Sequence, residues 1–177
     1  LSASVQDDNG LPVSDAVVSW AGDNAKGVFS ETRSSTDSNG STSVTYSSTL
    51  AIPTVITVKT GAVSQKTVNL TFIPDLQTAA ISTVTNDKRS AVASGTDLIS
   101  MLATVKDRYG NPVSQANVSW QVIPTGNTQL SAVSQLTDAN GQTGVTLGST
   151  DRGAFKAVAT YNSVSKYSHA VPYVPDL

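Results

Sequence analysis

Hydrophobic and polar residues alternate along this chain with a period of two, and the alternation predicts strands. Ala116, Val118, Trp120 and Val122 fall on one face of an extended segment, and Asn117, Ser119 and Gln121 on the other. That spacing describes a strand with one buried side. Upstream, Ile99, Met101, Ala103 and Val105 alternate with Ser100, Leu102, Thr104 and Lys106. Downstream, Thr143, Val145 and Leu147 form another inward set, followed by Phe155, Ala157, Ala159 and Tyr161. A last strand is expected to turn His169, Val171 and Tyr173 inward. No stretch carries the 3.6-residue period of an amphipathic helix.

The pattern occurs twice. Leu1, Ala3 and Val5, then Ala16, Val18 and Trp20, then Thr42, Val44 and Tyr46 repeat it in the first half. Thr54, Ile56, Val58 and Thr60, and finally Val68, Leu70 and Phe72, complete the first copy. The turns repeat as well. "DDNGLPVSDAVVSW" (Asp7–Trp20) matches "DRYGNPVSQANVSW" (Asp107–Trp120), and "STDSNGSTSVTY" (Ser35–Tyr46) matches "LTDANGQTGVTL" (Leu136–Leu147). "FIPDL" (Phe72–Leu76) matches "YVPDL" (Tyr173–Leu177). The offset grows from 100 to 101 between Trp120 and Thr137, so one extra residue is expected in the Pro- and Gly-containing loop Ile123–Gln129. A period of about 100 residues suits a whole small domain copied in tandem rather than a solenoid repeat.

Turn chemistry separates the strands. Asn39-Gly40 and Asn140-Gly141 predict hairpins whose two central residues both take positive φ. Asp7–Pro12 and Asp107–Pro112 combine Asp, Gly and Pro in tight turns. Many short strands, regular turns and no helix predict an all-β protein of two tandem β-sandwich domains of immunoglobulin type, residues 1–76 and 77–177. Each would pack one Trp in its core without the usual cysteine pair. Aligned at their motifs, Leu1 stands opposite Met101, and Thr78–Ser100 has no counterpart in the first copy. That segment reads as one or two short strands plus the start of the next. The first domain is therefore expected to lack its N-terminal strands, to leave a neighbouring strand unpaired, and to be the less stable unless it borrows a strand. Both chain ends read as cuts within a longer array.

Composition narrows the function classes. Only 14% of residues are charged and the net charge is −2, which is no basic footprint for nucleic acid or an anionic membrane surface. A hydrophobic content of 38% argues against disorder. The chain has no cysteine, which excludes disulfides, thiolate metal sites and cysteine nucleophiles without fixing the compartment.

No catalytic, cofactor-binding or metal-binding residue is assigned. His169 is the only histidine and has no second His or Cys to work with, so it is read as a strand residue at the core edge. Asp7, Asp8, Asp75, Asp87, Asp97 and Asp107 are too scattered for the six to eight oxygens of a calcium site. They are read, with Asp37 and Asp138, as acceptors for turn N–H groups. Trp20 and Trp120 have the inward phase of core residues rather than of sugar-stacking platforms. Asn69 and Asn117 head sequons within strands, and Tyr109, at a turn tip, is the best exposed aromatic for a protein contact. Surface Ser and Thr have no neighbouring base to activate them. No enzyme constellation is present.

The series D-x-x-G-x-P-V-S-x-A-x-V-S-W, then T-D-x-N-G-x-T-x-V-T-L, resembles the bacterial Ig-like domain group 1 repeat, and Ala91–Asp97 ("AVASGTD") resembles its opening. The resemblance covers the second domain and what is present of the first. Such repeats build the extracellular arms of intimins and invasins, the inverse autotransporter adhesins of Gram-negative bacteria. The resemblance implies a bacterial cell-surface location, further Ig-like repeats as neighbours, and membrane attachment only through a separate upstream outer-membrane barrel. It also implies a host cell-surface or matrix protein as partner of the parent adhesin. Nothing here matches the lectin-like tip of those adhesins. The leading expectation is a spacer: strands of about ten residues span roughly 34 Å, so two domains stacked end to end reach on the order of 70 Å. The alternative is a module that itself binds a host protein or glycan through its loops or a sheet edge.

Overall fold

The computed structural model describes residues 1–61 and 64–176; Leu177, the last residue of the second Pro-Asp-Leu motif, lies outside them. The described residues contain strands and no helix. They divide into two units, Leu1–Ile73 and Pro74–Leu177.

The first unit contains β1 (Ser2–Ser4), β2 (Val17–Gly22), β3 (Gly27–Phe29), β4 (Arg33–Ser35), β5 (Ser41–Ser43), β6 (Tyr46–Ser48), β7 (Pro53–Thr60) and β8 (Ser64–Thr71). One sheet runs β4-β2-β7-β8, and the facing layer consists of two ribbons, β1-β5 and β3-β6. Val18, Trp20, Val44 and Ile56 form its buried centre. Phe29, Tyr46 and Phe72 close one end, with ring centroids 4.4 Å and 5.8 Å apart.

The second unit contains β9 (Ala80–Asn86), β10 (Ala91–Val92), β11 (Ile99–Lys106), β12 (Asn117–Ile123), β13 (Thr128–Leu130) and β14 (Ser134–Leu136). It continues with β15 (Gln142–Ser149), β16 (Gly153–Tyr161), β17 (Val164–Tyr167) and β18 (Val171–Val174). One sheet is β13-β15-β11-β9, and the other is β10-β18-β16-β12-β14 with β17 also on β16. The predicted inward sets of β11 and β12 all turn to the interior: Ile99, Met101, Ala103, Val105, Val118 and Trp120 are buried. The two-sided core includes Ile81 and Val84 of β9, Phe155 and Ala157 of β16, and Tyr173 of β18. The Tyr173 hydroxyl donates to Leu147 O at 2.6 Å. Burial, with the charges of Asp97 and Asp87, pushes its pKa up to about 12.

Three features differ from the expected pattern. The division falls between Ile73 and Pro74, three residues before the expected end at Leu76. The reason is that Asp75 and Leu76 bond to the second unit: Asp75 N–H donates to Asp107 Oδ2 at 3.0 Å, and Asn162 Nδ2 donates to Leu76 O at 3.2 Å. Second, His169 is exposed and lies in the break between β17 and β18 rather than in a strand at the core edge. In the first unit Thr60 pairs Ser64 across three intervening residues, whereas Tyr161 pairs Val164 across two, Asn162 and Ser163. The shorter turn offsets the pairing by one, and the chain recovers the offset around Ser168, where His169 is turned out. Val158↔Tyr167 and Phe155↔Val171 show the slip, being three residues apart on β16 and four on its partner. Third, Val68, expected inward, is 41% exposed. It borders a groove lined also by Ala3, Val5, Val18, Val58 and Lys66.

Candidate functional site

The residues shared by both copies gather at one corner of each sandwich. Asp7, Asp37, Asp107 and Asp138 each open the same turn. In all four, the aspartate Oδ1 accepts two backbone N–H bonds, from the residues two and four positions on, at 2.8–2.9 Å. The glycine three positions on donates its N–H to the aspartate carbonyl, at 2.9 Å for Gly10 and Gly40 and 3.0 Å for Gly110 and Gly141. Each glycine takes positive φ, from 71° to 88°. Asn39 and Asn140 do not, so the Asn-Gly pairs are not the expected hairpins with two positive-φ residues. The aspartate side chain, spanning the turn from its first residue, selects a different turn in which the glycine alone is left-handed. Two consecutive positive-φ residues do occur, at Asn162 (φ 48°) and Ser163 (φ 62°), where the sequence reading saw no turn. Asn tolerates that region and was the available signal.

The two turns of each copy interlock. Val105 N–H donates to Gly141 O, and Val113 N–H to Val105 O. A buried threonine joins them: Thr137 Oγ1 donates to Val113 O at 2.6 Å and accepts Ala116 N–H at 2.9 Å. Thr36 makes the same pair of bonds to Val13 and Ala16 at the same distances. Asp15 and Gln115, at φ 57° and 58°, are the residues that bend the chain round this threonine. The doubled motif is therefore a structural corner, and its acids are occupied by backbone.

Asp107 carries one task more than Asp7. Its Oδ2 accepts both Asn111 Nδ2 at 2.8 Å and Asp75 N–H. Burial opposes its ionisation, but the bonds from the Asn111 side chain and from the N–H groups of Asp75, Asn111 and Tyr109 outweigh it and hold the carboxyl below the ordinary range. Asp97 is held low mainly by Lys88, 2.6 Å away, and accepts Val92 N–H. Asp87 accepts Ser100 N–H at 2.8 Å, and Asp75 lies 3.7 Å from Arg108 Nε. Asp8 is exposed on its turn. No three of the described His, Asp or Glu residues converge as metal ligands.

Tyr109 is half exposed, with the Arg108 guanidinium 4.7 Å from its ring centroid. Asn69 and Asn117 are exposed in β8 and β12. Both tryptophans are buried. Trp20 Nε1 donates to Ser34 Oγ at 2.9 Å, whereas Trp120 Nε1 is buried without an acceptor. The difference is one residue: Ser34 pairs Val18, and Gln135 pairs Val118 in its place. Gln135→Ser should supply the missing acceptor and stabilise the second unit by about 1 kcal/mol. Urea denaturation of the two proteins measures it, and an unchanged midpoint would show that the indole N–H is already satisfied.

The chain matches the bacterial Ig-like domain (group 1) profile over residues 1–73 and 81–172. It is 26% identical to the inverse autotransporter adhesin YeeJ of Escherichia coli K12, over 99% of this chain and 8% of that protein. It is 31% identical to intimin of Escherichia coli O127:H6, over 89% of this chain and 16% of that protein. Among solved structures, the D0-D1 domains of intimin superpose with a TM-score of 0.51 at 28% identity, covering 97% of this chain and 87% of that one. The chain thus spans a small part of the length of these two adhesins.

Proposed function

The chain belongs to the bacterial Ig-like domain (group 1) family, and from that membership we propose that its two repeats are spacer segments in the extracellular arm of a bacterial surface adhesin. They carry a distal adhesive region away from the outer membrane and do not themselves engage the host. The family and fold are those of adhesin Ig-like domains rather than of enzymes.

The observation that carries this reading is the brevity of the joint. In the first unit, Phe72 N–H donates to Ile52 O and its ring meets Tyr46 edge-on. In the second, Asp75 is already bound to Asp107. Only Ile73 and Pro74 separate those two anchored residues. A two-residue connection containing a proline has little conformational freedom compared with a Gly/Ser linker. A chain that must hold a tip at a distance needs that property, and a flexible tether does not. The motif residues support the same reading, because they are spent on backbone bonds and core packing at each corner.

Small-angle X-ray scattering of the chain tests the proposal together with a cell-binding assay. The expected result is an elongated particle that shows no saturable binding to epithelial cells or matrix. A compact side-by-side pair, or saturable binding at micromolar concentration, would replace the spacer with a binding module.

A further inference from the structure

We infer that the parallel pair β10–β18 is a clamp that holds the second unit closed against tension along the chain, and that Asp97 locks it. Tension of that kind rests on the spacer role proposed above, whereas the clamp rests on the pairing itself.

Such tension enters the unit beside Asp75 and leaves it after β18, at opposite ends of β16. Asn162, at the Tyr161 end of β16, donates to Leu76 O and Ala79 O at 3.2 Å. Tyr173 of β18 stands opposite Gly153, at the other end. The strands next to the entry and the exit, β9 and β18, are therefore drawn outward along their own axes in opposite directions. Backbone bonds run across the strands. A strand pulled lengthwise leaves only when those bonds break together, whereas one peeled from an end loses them one by one. β9 is held to β11 by six residue pairs. β18 has three with β16, from Val171 to Tyr173, and the Tyr173 hydroxyl adds its bond to Leu147 O. The exit strand has the shorter ladder, and its other edge is taken by β10. Ala91 pairs Tyr173, Val92 pairs Val174, and Ala93 N–H donates to Val174 O at 2.8 Å.

A two-residue strand holds nothing unless it is itself fixed. Asp97 Oδ2 accepts Val92 N–H at 2.8 Å, and its Oδ1 accepts from Lys88 Nζ at 2.6 Å. One carboxylate thus grips both β10 and the segment before it. Gly95 N–H donates to Ser149 O at 3.0 Å, at the end of β15. Asp97 lies two residues before Ile99, which is fully buried at the head of β11. The load on β18 therefore passes through β10 and Asp97 into the other sheet. Ala91–Asp97, the segment that resembles the opening of the family repeat, is one side of the clamp together with its lock.

The test pulls on the whole chain. It has no cysteine, so Gln77→Cys and Asp176→Cys place optical-tweezer handles on either side of the second unit. The readout is its unfolding rate at constant force, because forced unfolding follows the unfolding barrier rather than the equilibrium. Asp97→Ala should raise that rate more than about tenfold. Asp151→Ala is the control. Asp151 also accepts one backbone and one side-chain N–H, both from Asn127, at 2.8 Å and 2.9 Å, in the loop between β15 and β16. Its loss should leave the rate within about twofold. Moving the second handle to Val133→Cys, on the exposed turn before β14, should abolish the effect of Asp97→Ala, because the load then no longer leaves through β18. The clamp is overturned if Asp97→Ala leaves the rate unchanged, if Asp151→Ala raises it equally, or if Asp97→Ala acts equally from both handle positions. The spacer role stands or falls separately, on scattering and cell binding, since a weak β18 would leave the particle just as elongated.

Discussion

Trp120→Ala is expected to destabilise the second unit by about 3–5 kcal/mol, a large part of what holds a domain of this size together. The ring lies between the sheets with 2% of its surface exposed, amid Val118, Ala103, Val145 and the other buried residues of that core. Removing it opens a cavity that rigid strands on both sides close only in part. Roughly 15–30 °C of melting temperature would go with it. Differential scanning calorimetry reads the loss on the second transition, with the first as internal reference. A loss under about 1 kcal/mol would mean that the ring is not a core element, and the sugar-platform reading rejected above would return.

Gly141→Ala should cost about 3 kcal/mol or more by a different route. Gly141 sits at φ 71°, and an added Cβ would lie 2.4 Å from Val105 O and 3.0 Å from Val113 N. The left-handed backbone alone costs roughly 1–2 kcal/mol for a residue with a side chain. The clash is with the backbone of the interlocked turn, which cannot rotate away, and overpacking of this kind adds about 1–3 kcal/mol. Gly110→Ala separates the two terms. Gly110 has φ 88° but nothing within 4 Å of a built Cβ, so only the conformational cost applies. Each unit holds one tryptophan, so in a Trp20→Phe background the emission of Trp120 reports the second unit alone through a urea titration. Equal losses for the two glycine variants would show that the turns do not interlock in solution.

The contrast between those glycines marks how far the sequence could be read. Both stand in an Asp-x-x-Gly turn, and the need for positive φ is visible from composition alone. Which of them is pressed against another turn depends on Val105 and Val113, 36 and 28 residues away along the chain. The same holds for Asp107. Its turn-opening role was legible from the residues around it, but its bond to Asp75 joins positions 32 residues apart and made the Pro-Asp-Leu segment part of the second unit. His169 was misplaced for a related reason. Alternation extrapolates a strand through it, and only the two-residue turn at Asn162–Ser163 shifts the register that turns it out.

By itself, then, the sequence determined the all-β class, the duplication, the inward faces of the long strands and the inward tryptophans. Those follow from periodicity two and from turn residues whose preferences are local. Tertiary structure alone decided the rest: the interlocked corner, the anchoring of Asp75 and the orphaned indole N–H of Trp120. Each of these depends on which backbone groups find partners across large separations in the chain. Pairing of that kind is set by the register between strands, and a register has no signature within any one strand.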